Sequence, residues 1–229
     1  RYRYFHFTSY DNPMIAPEEL NERKRSLPDH IFRQEYLAEF IDNASGLFKN
    51  IKDCAGTWER KGKNYAGLDI GRADDYTVLT ILNESGEQIY LNRWRHDEWS
   101  RIIDKVADII KQYQAVTLIE VNNQGDIFYE MLSGKMRNLV NPFTTTSKTK
   151  PIIIEDLALA FEQRDIKIMN EAWFIDELEN FTYIYNPNTR SVQYSAPVGL
   201  HDDGVISLAL AWHCRKNYSK RGQYKILRA

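Results

Sequence analysis

Apolar positions along this chain follow two rhythms, and the change falls near residue 63. Ahead of it, an alternating aromatic run (Tyr2, Tyr4, Phe5, Phe7) has a strand-like pattern and leads into a turn signal at Ser9, Asp11, Asn12 and Pro13. Pro17, Glu18 and Glu19 then mark the first turn of a helix. Proline needs no N–H there, and acids suit the positive end of the helix dipole. That helix carries Arg23, Lys24 and Arg25 and stops near Pro28. A second helix is expected over residues 29–37, with Ile31, Phe32, Tyr36 and Leu37 on one stripe. Residues 38–42 read as a short extended piece, and 46–48 as a turn.

Beyond residue 63 the apolar positions read as strands. Three of them, about 65–70, 77–83 and 88–94, are joined by short loops and imply an antiparallel meander. A helix follows over about 98–112, its stripe formed by Ile102, Val106, Ile109 and Ile110. Next come a short buried strand over 116–120, a polar turn over 122–126, a helix opening over 127–132 and a strand over 140–144. A polar, basic loop spans 144–150. Helices over 151–163 and 171–181 bracket an extended piece at 166–168, and the second turns Phe174, Leu178 and Phe181 inward. A hairpin is expected over 183–194, interrupted at Asn186-Pro-Asn188. A last helix runs from Val205 to about Lys216, and a polar, basic tail over 217–229 is expected to be poorly ordered. The domain reading is a helical linker over 1–60, a mixed-sheet domain over 61–216 and the tail over 217–229.

The chain has 229 residues, enough to bury a substantial core. Its 43% hydrophobic and 27% charged residues are ordinary for a globular domain. No apolar run is long enough for a membrane span, and the first residues carry no signal-peptide pattern. The absence of a leading methionine suggests a piece of a longer protein. Cys54 and Cys214 lie far apart and fit no metal or redox spacing, so two buried free thiols are expected. A net charge of −2 is not the footprint of a nucleic-acid binder. Any contact with nucleic acid must come from local basic patches. Candidates are Lys148 and Lys150 in their loop, Arg72, and the cluster Arg215, Lys216, Lys220, Arg221, Lys225 and Arg228.

The carboxylates change the picture. Asp69 ends the first strand, Glu120 ends the strand after the helix, and Asp202 and Asp203 open the last helix. Those are positions from which a mixed sheet presents ligands at one edge. Each acid also has an ordinary alternative: a turn residue for Asp69, a salt bridge for Glu120, a helix N-cap for Asp202 or Asp203. Taken together, oxygen ligands without Cys or His spacing suit Mg²⁺ or Mn²⁺ better than zinc. Two such ions about 4 Å apart clamp the attacking and leaving oxygens of a phosphodiester. A meander, a helix, a strand with an acid, then a helix with an acid is the ribonuclease H-like order. The fold class expected is therefore α/β, with an antiparallel three-strand meander, further parallel strands and flanking helices.

Four stretches carry a more specific resemblance. Gly67-Leu-Asp-Ile-Gly-Arg-Ala-Asp-Asp-Tyr-Thr-Val-Leu79, Leu118-Ile-Glu-Val-Asn-Asn-Gln-Gly125 and His201-Asp-Asp-Gly-Val-Ile-Ser-Leu-Ala-Leu-Ala211 resemble the C-terminal nuclease domain of tailed-bacteriophage terminase large subunits. So does the leading segment, Phe7-Thr-Ser-Tyr-Asp-Asn-Pro13 through Phe32-Arg-Gln-Glu-Tyr-Leu-Ala-Glu-Phe40, which in that family lies between the packaging ATPase and the nuclease. The resemblance implies a metal-dependent endonuclease that cuts concatemeric double-stranded viral DNA during packaging. It implies work in the host bacterial cytoplasm, at the procapsid, with the ATPase domain of the same full-length chain, the portal protein and the small terminase subunit. Carried over by position, Asp69 and Glu120 match the first two metal-binding acids, and the third lies in His201-Asp-Asp203. Asp203 is favoured over Asp202 because the ligand in the family precedes by three residues a position that is often Asp. That position is Ile206 here. Asp75 matches an acid placed to support a second metal. His201 reads either as a residue that orients a carboxylate or a phosphate or as an ordinary hydrogen bonder at a helix start. No Walker A motif occurs in these residues.

Other classes share parts of the pattern. Gly67-Leu-Asp-Ile-Gly71 also looks like the first phosphate loop of actin-like sugar kinases, but no further glycine-rich phosphate motif follows. A ribonuclease H-like transposase or junction resolvase shares the acids but not the leading segment. A non-catalytic docking module of the packaging motor keeps the fold without needing the acids.

Overall fold

The computed structural model describes residues 3, 5–40, 46–59, 61–71, 75–95, 99–122, 125–136, 138–186 and 191–226. The chain divides into two compact units, Arg1–Ser45 and Gly46–Ala229. In the first, Thr8 closes a short turn at Ser9–Asp11 by donating its backbone N–H and its hydroxyl to Asp11 Oδ2, at 2.7 and 2.9 Å. Helices α1 (Pro17–Ser26) and α2 (Asp29–Tyr36) follow, with Leu20 and Phe32 buried. Residues 5–8 form no strand, because a lone alternating run has no ladder to join. The extended piece expected after α2 is also replaced. Ala38 takes a left-handed conformation (φ 52°), and Glu39 N–H bonds back to Arg33 O at 3.1 Å. The left-handed residue just past the last turn ends the helix, and Arg33 is ion-paired with Glu39 at 2.7 Å.

The second unit opens with the turn of helix α3 (Ile51–Cys54) and the short strand β1 (Ala55–Gly56). Strands β2 (Asn64–Asp69), β3 (Thr77–Asn83) and β4 (Gln88–Trp94) form the meander. Helix α4 (Trp99–Tyr113), strand β5 (Ala115–Glu120), helix α5 (Gly125–Met136) and strand β6 (Val140–Phe143) follow. Helix α6 (Thr149–Gln163), strand β7 (Ile168–Met169) and helix α7 (Ala172–Asn180) lead to the hairpin of β8 (Thr182–Asn186) and β9 (Ser191–Ser195). The long helix α8 (Asp203–Ile226) closes the described chain. It runs well past Lys216, where the sequence suggests a stop, because residues 217–226 hold no proline and a single glycine.

The five-stranded sheet has the order β4-β3-β2-β5-β6. β2 pairs antiparallel with β3 and parallel with β5, and β5 pairs parallel with β6. This is the ribonuclease H-like mixed sheet. Its inner strands β2 and β3 are buried on both faces, which explains why they read as nearly continuous apolar runs. One face packs Ala66, Leu68, Leu79, Ile81 and Ile119 against Ile103, Val106 and Ile110 of α4 and Phe128 and Leu132 of α5. The other face is covered by α8, whose Ser207 hydroxyl donates to Gly67 O at 2.9 Å. Residues Leu47, Phe48, Ile51 and Cys54 are buried in this unit, with Phe48 packed on Phe161 and Phe181 at 5.3 and 5.6 Å between ring centroids. Cys54 and Cys214 are both buried free thiols.

At Gly67 α8 packs directly on the backbone of the sheet. A Cβ there would collide with the Ser207 carbonyl, the Ala211 amide and the Leu210 side chain. Both obstacles of the backbone belong to a helix packed along its length, so neither yields cheaply. Gly67→Ala is expected to cost about 1–3 kcal/mol through overpacking, a fall in Tm of roughly 2–12 °C for a chain of this size. A thermal melt checks it. An unchanged Tm would show that α8 can lift from the sheet freely.

Candidate active site

Strand parity aims the first two acids. Along β2, Ala66 and Leu68 face α4 and α5, so Gly67 and Asp69 face α8. Along β5, Ala115 and Ile119 face α4 and α5, so Leu118 and Glu120 share the α8 side. The last ladder pair, Leu68 with Ile119, puts Asp69 and Glu120 side by side at the same edge. They lie within hydrogen-bonding reach of each other. The chain leaves this edge quickly after β5. Gly125 N–H closes a turn onto Asn122 O at 3.2 Å, and a Cβ at Gly125 would strike the Glu120 carbonyl.

The remaining acids arrive at the start of α8, which the Gly67 contact holds over the sheet. Asp69, Asp75, Glu120, Asn122, Lys150, Asp202, Asp203 and Ile206 line one cavity of about 180 Å³. Asp203 is buried, and its Oδ2 accepts the Tyr76 N–H at 3.2 Å. His201 Nδ1 lies 3.5 Å from Asp75 Oδ1 and 3.6 Å from Asp203 Oδ2. The ligand atoms of Asp75, His201 and Asp203 all fall within 4.8 Å of one another. Asn122 Nδ2 donates to Glu120 Oε1 at 3.0 Å and to Thr145 O at 2.7 Å, which fixes the Glu120 carboxylate. Lys150 Nζ sits 3.4 Å from Asp202 Oδ2.

The electrostatics of the cluster are unfavourable without a cation. Burial holds the Asp69 carboxyl well above the usual carboxylate range, and Glu120, Asp203 and Asp202 push it further. Burial raises Asp203 to about 6, against the opposing pull of the Tyr76 N–H, with Asp75 and Asp202 adding to the rise. Like charges gathered at this spacing favour protonation unless a positive charge joins them. Lys150 is the cation at the cavity among the described residues that line it. The donors are all hard oxygens, apart from one imidazole at the rim. That set fits a divalent cation of the Mg²⁺ or Mn²⁺ type.

The site thus gathers Asp69, Glu120, Asp202, Asp203, Asp75, His201 and Lys150. Lys148 stands apart from the cavity lining: it is exposed and precedes α6, with its N–H on Thr146 Oγ1 at 3.2 Å. Arg72 and Asp74 lie outside the described residues. Sequence reasoning passes over Asn122, Tyr76, Arg93 and Glu177. Glu177 had a signal. It falls on the inward helical spacing of Phe174, Leu178 and Phe181, and it is buried. Burial raises its carboxyl to about 7.

No family model matches the chain. A terminase large subunit of Thermus virus P23-45 is 29% identical over 96% of the chain. The chain spans about half of that relative, 48% of its length. The large terminase nuclease of thermophilic phage G20c, solved with bound cobalt, superposes with a TM-score of 0.65 at 25% identity, covering 75% of this chain and 98% of that one. The large terminase nuclease domain of Thermus phage P74-26 shares the fold at a TM-score of 0.62 and 23% identity, over 73% of this chain and 94% of that one. The resemblance to the terminase nuclease domain, drawn from the sequence motifs, holds in these comparisons.

Proposed function

We propose that this chain, related to terminase large subunits over nearly its whole length, is a metal-dependent endonuclease that cleaves concatemeric double-stranded viral DNA during genome packaging. The observation that carries this reading is the convergence of Asp69, Glu120, Asp202 and Asp203 from two strand ends and a helix start on one cavity. Asp69, Glu120 and Asp203 are the catalytic carboxylates, and Asp202 and Asp75 complete the cation site. Two divalent cations, when bound, supply the Lewis acidity that phosphodiester hydrolysis needs.

The chain's own residues do the rest. Asn122 holds Glu120 in one orientation, and the Tyr76 N–H does the same for Asp203. Lys150, paired to Asp202, offsets part of the negative charge that would repel a phosphate. His201, at the rim, stands where it can donate a hydrogen bond to a phosphate oxygen. Lys148, and by its sequence position Arg72, are the further basic residues for contact with the DNA backbone. The leading helical segment connects to a packaging ATPase domain of the full-length chain, the sheet-bearing unit that begins near Gly46 forms the nuclease, and the basic residues past 216 add positive charge. The portal protein and the small terminase subunit are the partners, and the place of action is the procapsid in the host bacterial cytoplasm. No helix among the described residues is long and apolar enough to cross a membrane.

The test uses supercoiled plasmid with Mn²⁺ or Mg²⁺, beside Asp69→Ala. Nicking by the wild type alone is expected. Equal nicking by both proteins, or by neither at high concentration, would sink the assignment. Binding of metal–ATP without DNA cleavage would point instead to the sugar-kinase alternative.

A further inference from the structure

Behind Asp203 lies a chain of contacts that the nuclease reading leaves unused. Glu177 of α7 is buried, and burying a carboxylate is costly unless it is paired. Its Oε2 accepts the Gly204 N–H at 2.8 Å, one of the orphan donors in the first turn of α8. A negative side chain at that helix end also meets the dipole favourably. Its Oε1 faces Arg93 Nη1 at 3.8 Å. The Arg93 guanidinium is sandwiched between two rings, 4.4 Å from the Tyr76 centroid and 4.2 Å from that of Trp173. Tyr76 in turn gives its backbone N–H to Asp203. The path is closed: Asp203 to Tyr76, Tyr76 to Arg93, Arg93 to Glu177, and Glu177 to the residue after Asp203. Gly204 shows how tight the clamp is. A Cβ there would lie 2.7 Å from Glu177 Oε2 and 2.9 Å from the Phe174 ring.

We propose that Arg93 and Glu177 are positioning residues that fix the start of α8 so that Asp203 points into the cation site. Neither group lines the cavity. Glu177 acts through the backbone of Gly204, and Arg93 acts by holding both Glu177 and Tyr76. A flat guanidinium suits the gap between two aromatic faces, which an ammonium would not fill. The proposal rests on the reading of Asp203 as a cation ligand.

Outer partners of metal ligands carry about tenfold to a hundredfold in metal affinity. Calorimetric titration with Mn²⁺ alone, on the whole chain, therefore tests the idea. Glu177→Ala and Arg93→Ala are each expected to weaken Mn²⁺ binding about tenfold or more. Glu177→Gln, which keeps an acceptor for the Gly204 N–H, is expected to recover most of that loss. In plasmid nicking, the Mn²⁺ concentration for half-maximal rate should rise while the maximal rate stays near that of the wild type. A merely structural role would lower Tm and leave the affinity of the folded fraction unchanged. Wild-type Mn²⁺ affinity in folded Glu177→Ala, beside a loss in Asp203→Ala, overturns the positioning role alone. Wild-type affinity in Asp203→Ala overturns the cation reading beneath it. If Glu177→Ala does not fold, Arg93→Ala, at a partly exposed position, decides the matter by the same two readings.

Discussion

Asp69→Asn is expected to abolish plasmid cleavage and, in the absence of divalent cations, to raise thermal stability. The activity loss should exceed the roughly hundredfold carried by outer partners of a metal site, because the exchange removes an anionic oxygen from the centre of the cluster. The stability gain follows from the same placement. Asp69 sits against Glu120 with Asp203 and Asp202 close by, and desolvation already opposes its charge. Asparagine keeps nearly the same shape and can donate to Glu120, so it relieves the repulsion without opening a cavity. A gain of about 1–2 kcal/mol, the scale at which a poorly satisfied buried group is felt, moves Tm by roughly 2–8 °C. Paired melts and nicking assays check both halves. Loss of activity with a lower metal-free Tm would mean that Asp69 is structural. Retained activity would remove it from the catalytic set.

That opposition of activity and stability is the physical mark of this site, and it explains what the residues alone reveal. The meander is readable because Thr77–Asn83 has no break and Glu84-Ser-Gly86 is a plain turn signal. Asp69 and Glu120 are readable because each ends an apolar strand, where an acid has no reason of packing to be. Their being neighbours is not readable without the parallel register of β2 and β5, which nothing local specifies. The same holds for Lys150. Its loop suggests contact with DNA, yet the fold brings it 3.4 Å from Asp202 across 52 residues of chain. Arg93 is harder still: it looks like a surface charge on an amphipathic strand, and only the fold brings the Tyr76 and Trp173 rings against it. Glu177 shows its inward helical spacing, but its partner, the Gly204 N–H of α8, is not readable from the sequence. Helix ends escape prediction for a simpler reason. α5 keeps going through Gly134, a helix weakener with open space around it, because Phe128, Leu132 and Met136 are held by the core.

Divalent cations should reverse the dependence of stability on pH between about 5 and 7.5. The sign follows from the raised carboxyls. Asp203 titrates near about 6 and Glu177 near about 7 in the folded state, against ordinary values of 3.8 and 4.5, with burial the first cause in both. Asp69 is raised in the same direction. A folded state with raised carboxyl pKa values holds more protons than the unfolded chain, so stability is full below the unfolded values and is lost as pH rises through the folded ones. His213 works the other way. Burial lowers its pKa from 6.5, so the unfolded chain binds the extra proton at acid pH and stability there rises with pH. It is one group against three raised carboxyls, so the carboxyls dominate. The metal-free Tm is therefore expected to fall from about pH 5 to about 7.5. A bound cation needs its carboxylates deprotonated, so its affinity grows over the same interval. At a hundred times Kd it adds about 2.7 kcal/mol, roughly 5–11 °C in Tm. Melts with and without Mn²⁺ across this range should diverge steadily as pH rises, and Asp203→Asn should flatten both curves. Parallel curves, or a metal-free Tm that climbs with pH, would show that the acids at the head of α8 do not share a cation.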